Sequence, residues 1–546
     1  MKNINIISIV ICSTILFISS CSSHWLDKGY EGERVTEEQV TVDALINGIL
    51  ASLYERNADG HDSFGQRSFD LATDILSGDI AIKEYGAGWF LSDEQMETAS
   101  NRTGEVWAYY FGMLRSTNNA IRILDVQGGI KMKYATNGNP NSDENIANQT
   151  YSEQDVINAL NYARALTLRG FALSKLAMFY TPARGDEATA VSDVTTYRCA
   201  PIYDETNLNT PQPISSSERV FHKSFENLEL AIQLFEEFSS YYTTVFKGTV
   251  MRDSKLDVDE DIARGILAYA YLNLAPYYYD DTKREAMYTK ALQTAEAIIT
   301  KGHFSLLTQE KLYSTGFNNV NEDCWMWGQD VTTETTTRLA SWFGNVDLYT
   351  YSYARTDPKR IDATLYSSIP AWDGRKNWFD DNSLCPTNKF YSAINRSLDD
   401  DKLDREWLSD NIFMRYESIY LIASEAACQL NILDKAKDYL TAITDLRMNL
   451  TYPSYATEYQ TFKDGLTTQT ALQNAITYNW RMEMWGEGYG FQTLKRLSHK
   501  SDRGSNHAIS SGVVFDATEA YYLFQIPTSE STYNTRFNDP VLTLEN

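Results

Sequence analysis

Basic residues are scarce in this 546-residue chain: 48 Lys and Arg stand against 73 Asp and Glu, giving a net charge of −25. Nucleic-acid binding needs a basic footprint, so no nucleic-acid partner is expected, and the same imbalance disfavours polyanionic ligands. Cysteine is scarce as well, at six residues. Cys12 and Cys21 fall in the first segment, leaving Cys199, Cys324, Cys385 and Cys428. None of these forms a CxxC pair or sits beside a histidine at ligand spacing, which argues against a zinc site. Their spacing leaves disulfides and buried free thiols as open alternatives. The six histidines are scattered, with no pair at i, i+4. There is no HExxH, GxSxG, P-loop or GxGxxG, so no catalytic motif and no cofactor is indicated. The run "DVDEDI" at 257–262 imitates the start of a calcium loop but has Ile262 where the glycine belongs and Ala268 where the last acid belongs. A negatively charged first helical turn accounts for these acids more simply. After the first twenty residues no segment approaches eighteen apolar residues, so no later membrane span is expected.

What is present begins at the N-terminus. Residues 4–18, "INIISIVICSTILFI", follow Lys2 and suit a signal-peptide core of roughly 7–15 residues better than a spanning helix of about twenty. The run stops at Ile18-Ser19-Ser20-Cys21, which resembles a bacterial lipobox: an aliphatic residue, two small ones, and the cysteine that receives lipid. Cys21 is therefore the expected lipidation site, and several acyl chains there would anchor the protein stably in a bilayer. Residues 1–20 then read as the lipoprotein signal and 21–36 as a polar tether.

Helical periodicity dominates the remainder. Helices are expected over 37–56, 103–125, 152–181, 216–239, 260–275, 284–301, 412–430, 434–448 and 469–496. Several come in pairs with short connections, as in helical repeats. Against a tetratricopeptide pattern, 417–448 places Tyr420, Ser424 and Ala427 on one helix and Ala436, Leu440 and Ile443 on the next. Small residues at Ser424, Ala427 and Ala436 let two helices approach closely. A second pair spans 260–301, and a weaker unit lies at 155–181. The expected fold class is all-α, a tetratricopeptide-like helical-repeat scaffold of two regions, 37–302 and 303–546.

Residues 303–405 break this character. They carry no sustained helical period and hold five of the eleven tryptophans: Trp325, Trp327, Trp342, Trp372 and Trp378. A long irregular, aromatic-rich insertion in a helical frame usually carries function. The chain is 13% aromatic, with 36 tyrosines. Flat aromatic side chains offer large rigid contact area for the apolar faces of sugar rings. Trp107, Tyr271, Tyr420, Trp480 and Trp485 are expected in the repeat grooves, whereas Trp89, Trp325, Trp327, Trp342 and Trp372 are candidate ligand-binding residues.

A family resemblance is carried most specifically by four stretches of the C-terminal half, and "ARALTLRGFALSKLAMFY" in the 155–181 unit resembles the same family's first repeat helix. "IPAWDGRKNWF" at 369–379 presents Asp373, Arg375, Lys376 and Trp378, and "NIFMRYESIYLIASEAA" at 411–427 presents Arg415, Tyr416, Glu425 and Ala426. "NWRMEMWGEGYGFQTLKR" at 479–496 follows Arg481 with Glu483 and then Glu487-Gly488, with Tyr489 where an arginine is usual. "LFQIPTSE" at 523–530 presents Ile526, Pro527 and Glu530. In order and spacing these resemble the SusD/RagB nutrient-binding lipoproteins of the Bacteroidetes outer membrane. Arg, Glu and Gly at such positions are expected to lock helices and turns rather than to bind ligand. The resemblance implies a non-enzymatic protein, lipid-anchored in the outer membrane and facing the exterior. It would bind an oligosaccharide and deliver it to a SusC-like TonB-dependent transporter as partner. It also implies a stacking aromatic near the loop at 84–101, which points to Trp89 with Asn101 as a hydroxyl partner. Only Asp27 follows the lipidated cysteine closely, although such acids often accompany surface export. A peptide ligand, a surface glycoside hydrolase working with two carboxylates and a purely scaffolding repeat protein are the competing readings.

Overall fold

The computed structural model describes residues 41–54, 60–95, 97, 102–128, 139–184, 193–247, 255–337, 339–348, 353–390, 408–509, 511–518 and 522–545. Cys21, the signal segment, most of the tether and Asn101 lie outside the described residues.

Helices form where capping residues meet apolar periodicity. Ser152 accepts from Asp155 N while the Asp155 carboxylate accepts from Ser152 N, a reciprocal cap that starts the helix Glu153–Tyr180. Ser216 caps Ser217–Tyr241, Asp259 caps Glu260–Leu274, Asp280 caps Asp281–Lys301 and Thr468 caps Gln469–Glu483. The acids of 257–262 are thereby explained. Asp259 accepts from Ile262 N at 2.9 Å, Glu260 and Asp261 occupy the first turn, and Asp257 pairs with Arg164.

The helices pack as successive neighbours: Thr103–Val126 on Glu153–Tyr180, that helix on Ser217–Tyr241, then Glu260–Leu274, Asp281–Lys301, Tyr416–Gln429 and Leu433–Thr444. The expected pairs at 260–301 and 417–448 are both present. In the second, Ser424 Oγ donates to Ala436 O at 2.7 Å, and Ser424, Ala427 and Ala436 are all fully buried. Their small side chains allow that approach. Arg169 knits three helices from the inside, donating to Asn227 at 2.7 Å and Asn118 at 3.0 Å.

Three expectations of helical structure are corrected. Residues 412–415, expected as the start of a helix, belong to the strand Asn411–Arg415, which pairs antiparallel with Trp325–Gln329, and the helix starts at Tyr416. The single helix expected over 469–496 is two, Gln469–Glu483 and Gly490–Arg496, separated where Gly486 and Gly488 take φ of 77° and 81°. The helix Gln66–Leu76 was not expected, although Phe69, Ala72, Ile75 and Leu76 recur at helical spacing; every one of its residues is buried, Arg67, Asp70 and Asp74 included. Residues 303–390 are irregular as anticipated, with helical turns of only four or five residues.

Strand Ile80–Ile82 pairs antiparallel with Lys359–Ile361, Ile80 opposite Ile361, so the irregular segment is bound to the N-terminal part of the chain. A hydrophobic core runs beneath that junction, uniting Leu71, Ile75 and Phe90 with Leu312, Phe317, Trp342, Trp378 and Trp485. No helix among the described residues is long and apolar enough to cross a membrane. Cys199, Cys324, Cys385 and Cys428 are buried free thiols, which settles the open alternative in their favour.

Candidate functional site

The pairing of Ile80–Ile82 with Lys359–Ile361 brings the loop after the first strand against the segment before the second. Gly86 N donates to Thr356 O at 3.3 Å and Ala87 N donates to Asp357 Oδ1 at 2.9 Å, clamping the two together. Trp89 follows this clamp. Its indole stacks on the His61 imidazole at 5.3 Å between centroids, with 15° between planes. Tyr353 closes the cluster edge-on, 5.7 Å from Trp89 and 5.3 Å from His61, and its hydroxyl is hydrogen-bonded to His61 Nδ1. All three rings are partly exposed. Phe90, next in the chain, turns inward with φ of 64° and is fully buried, so the backbone reversal sends consecutive aromatics to opposite sides.

Beside the rings lies an acidic patch held by one cation. Arg102 donates to Asp93 at 2.7 Å and 2.9 Å, to Asp62 at 2.9 Å and to Glu105 at 3.0 Å. Burial opposes the charge on Arg102, but Asp93, Asp62 and Glu105 outweigh it and raise its affinity for the proton. Asp93 is buried, whereas the Asp62 and Glu105 side chains are 25% and 48% exposed. The result is a rigid three-ring shelf flanked by two accessible carboxylates. It suits a ligand with an apolar face and a hydroxylated edge.

The other candidate tryptophans are placed elsewhere. Trp325 is 0% exposed in its strand and donates from Nε1 to Gly316 O at 2.8 Å. Trp342 is covered by Arg67, whose guanidinium carbon sits 3.9 Å from the ring centroid, and by Phe390 edge-on at 5.1 Å. Trp327 lies between Phe171 and Phe413, and Trp372 between Tyr459 and Phe462. None of the four is more than 5% exposed, so the expectation that they face ligand is corrected: they are core side chains. Their aromatic neighbours hold them there because burying such rings contributes more than leaving them wet. His61 and Tyr353 were missed. Nothing local marks His61, but Tyr349, Tyr351 and Tyr353 alternate with small polar residues, a signal that could have singled out Tyr353.

Of the quoted motif residues, Asp373, Arg375, Arg415, Glu425, Glu483 and Glu487 lie in the interior instead, whereas Lys376, Ile526, Pro527 and Glu530 are partly exposed. Arg375 donates to both oxygens of Asp373 and to Glu483. Arg447 donates twice to Glu483 at 2.9 Å and once to Glu417 at 3.0 Å. Arg415 donates to Glu483 and Glu487, and Lys389 pairs with Glu487 at 3.0 Å. Burial alone would raise the Glu483 carboxyl, but Arg447, Arg415 and Arg375 overcome it and hold it well below the usual range. Nearby, Glu425 accepts from Trp480 Nε1 at 2.7 Å and from Arg496 Nε at 2.7 Å. These carboxylates are buried and paired. They fix helices, as the motif chemistry implied.

The sequence matches the SusD family over residues 321–539. Among solved structures, a SusD-like carbohydrate binding protein from Bacteroides vulgatus ATCC 8482 aligns at 21% identity and a TM-score of 0.66, over 92% of this chain and 98% of that one. A SusD superfamily protein from Bacteroides thetaiotaomicron VPI-5482 aligns at 16% identity and a TM-score of 0.67, over 92% of this chain and all of that one (100%). One from Parabacteroides distasonis ATCC 8503 aligns at 12% identity and 0.61, over 92% and 99%. No curated protein matches the sequence.

Proposed function

This chain is SusD-like in its family pattern over 321–539 and in its fold, and on that premise we propose that it is a lipid-anchored outer-membrane protein that binds an oligosaccharide and delivers it to a SusC-like TonB-dependent transporter. The observation that carries the ligand reading is the shelf of His61, Trp89 and Tyr353, partly exposed and stiffened by ring contacts. A sugar ring stacks on the outer surface of this cluster, while Asp62 and Glu105 accept from its hydroxyls. The carbohydrate-binding description of the structure from Bacteroides vulgatus supports the same ligand class. The two accessible carboxylates and the net charge of −25 favour neutral glycans over acidic ones. No covalent step is part of the reading. Asn101 remains a proposed hydroxyl partner and Cys21 the proposed lipid attachment point.

The test is a screen of soluble protein beginning at Ser22 against neutral oligosaccharides, acidic oligosaccharides and mixed peptides, followed by tryptophan fluorescence. A neutral-glycan hit lost in Trp89→Ala supports the reading. Binding to peptides alone would replace the ligand class, and release of shorter sugars would replace binding by hydrolysis. The anchor is tested apart from the ligand: an alkyne fatty acid fed to cells labels the full-length chain and leaves Cys21→Ser unlabelled.

A further inference from the structure

A small, partly open cavity of ≈ 50 Å³ lies where the helices Glu153–Tyr180, Glu260–Leu274 and Tyr416–Gln429 converge on the strand Trp325–Gln329. Binding sites for drug-sized or sugar-sized molecules run to about 300 Å³ and more, so neither fits here. A water needs roughly 10–15 Å³ measured this way, which leaves room for an ion and a few waters.

The polar groups around the space are unequally served. Asp70 accepts from Gln66 at 2.7 Å and from Arg67 at 3.0 Å, and Glu487 accepts from Arg415 at 2.8 Å and 2.9 Å. The hydroxyls of Ser174 and Ser418 donate at 2.7 Å to Phe171 O and Arg415 O respectively. Three donors are left over, one of them the buried Tyr269 hydroxyl, which has no partner among the described residues. Lys175 makes no hydrogen bond or ion pair among the described residues; its ammonium rests 5.4 Å from the centre of the Phe171 ring. The Nε1–H of Trp327, a side chain 1% exposed, has no acceptor among the described residues, and its ring stands 5.6 Å from the same Phe171. A cation and an N–H donor thus flank one phenyl ring at the wall of one cavity, with every lining carboxylate considered above already paired. The Lys175 side chain is half-buried and has no ion-pair partner among the described residues, and water in the cavity satisfies its donors without neutralising it. Burial accordingly lowers the proton affinity of Lys175, against the opposing pull of Asp70.

We propose that this cavity binds a single monovalent anion of halide size, held between the Lys175 ammonium and the Trp327 indole N–H. The anion supplies the missing acceptor for both donors and the missing negative charge for one. It ties the helix Glu153–Tyr180 to the strand Trp325–Gln329, and none of the three shelf rings lines the cavity.

The experiment compares thermal unfolding of the soluble chain in sodium bromide and in sodium sulfate at matched ionic strength, with Lys175→Met and Trp327→Phe as variants. Sulfate, too large for the cavity, reports general salt effects. The wild type is expected to show a saturable bromide-specific rise in Tm that disappears in Lys175→Met. Trp327→Phe, which keeps the ring contacts and removes the N–H, should need more bromide for the same rise. Crystals grown in bromide should show an anomalous peak in the cavity, a readout that stands even where a variant fails to fold. An identical bromide response in the wild type and Lys175→Met, or bromide crystals with only water in the cavity, would overturn the proposal.

Discussion

The guanidinium of Arg415 grips the carboxylate of Glu487 with two parallel hydrogen bonds, Nε to one oxygen at 2.8 Å and Nη2 to the other at 2.9 Å, with neither side chain more than 2% exposed. Seventy-two residues separate the two in sequence. The pair joins the end of the strand Asn411–Arg415 to the turn between Gln469–Glu483 and Gly490–Arg496, and Glu483 extends it to Arg447 and Arg375. Removing one partner from such a network leaves an uncompensated buried charge, which typically costs about 3–5 kcal/mol. Arg415→Met should therefore lose stability on that scale in urea unfolding, and a loss under about 1 kcal/mol would mean the network is redundant.

The same network sets the acid limit. Glu487 is lowered despite burial, by Arg415 and Lys389, and Glu483 is lowered further. A carboxyl whose folded value is depressed contributes stability that is present above its unfolded value, about 4.3, and lost as pH falls through the folded one. Circular dichroism from pH 6 to pH 2 should show the wild type losing stability below that value. In Glu487→Gln the loss should be shallower; an unchanged slope would assign the acid limit to other groups.

At alkaline pH Lys495 gives a slope of the same sign, because burial disfavours its charged form. Burial drives this lysine from 10.5 down to about 7, with Cys199 weakly opposing, while its ammonium donates to Met178 O at 2.8 Å and Phe179 O at 3.3 Å. Between those values the unfolded chain binds more protons, so stability rises with pH. One such proton is worth about 1.4 kcal/mol per pH unit. The wild type should gain more stability from pH 7.5 to 9.5 than Lys495→Met, and equal slopes would contradict the assignment.

How far the sequence led can be judged from individual residues. The pair Ser424 and Ala436 was legible because small residues at helical spacing have one geometric use. The break at Gly486 and Gly488 was not, since the surrounding apolar pattern runs through it and only a contact with Asp70, remote in sequence, shows why the turn is needed. The helix Gln66–Leu76 carried a readable signal, since Phe69, Ala72, Ile75 and Leu76 keep helical spacing and Gln66, Arg67 and Asp70 satisfy one another within it. Trp325 and Trp342 look alike in composition to Trp89, yet a strand pairing and an overlying arginine bury the first two. The ring shelf needed His61 and Tyr353, which meet only after Ile80–Ile82 pairs with Lys359–Ile361.

Gly488 offers a test of that turn. A Cβ there would lie 2.4 Å from Asp70 Oδ1, in a backbone with φ of 81°. Gly302 has a comparable φ of 64° with open space around it. Left-handed backbone alone costs a non-glycine residue about 1–2 kcal/mol. Gly302→Ala should show only that, and Gly488→Ala should exceed it by about 1–3 kcal/mol of overpacking. Equal losses would show that Asp70 yields freely.

The four free thiols make a simple prediction. Burial pushes Cys199 and Cys428 up to about 12, so neither forms thiolate at neutral pH. The chain from Ser22 should be inert to a thiol reagent when folded and react at all four cysteines in denaturant, with Tm indifferent to reductant. Fewer than four reactive thiols in denaturant would reveal a disulfide.

The central claim is that Trp89, stacked on His61 and braced by Tyr353, is the surface that reads a sugar. Its most direct test is calorimetric titration of one neutral oligosaccharide, chosen from the panel, into the wild type, Trp89→Ala and Tyr533→Ala, the last a substitution of an 81% exposed tyrosine outside the cluster. Losing the stacked indole is expected to weaken Kd by about tenfold or more, equivalent to at least about 1.4 kcal/mol, with Tyr533→Ala unchanged. Equal affinity in the wild type and Trp89→Ala would contradict the account and move the ligand site elsewhere on the molecule.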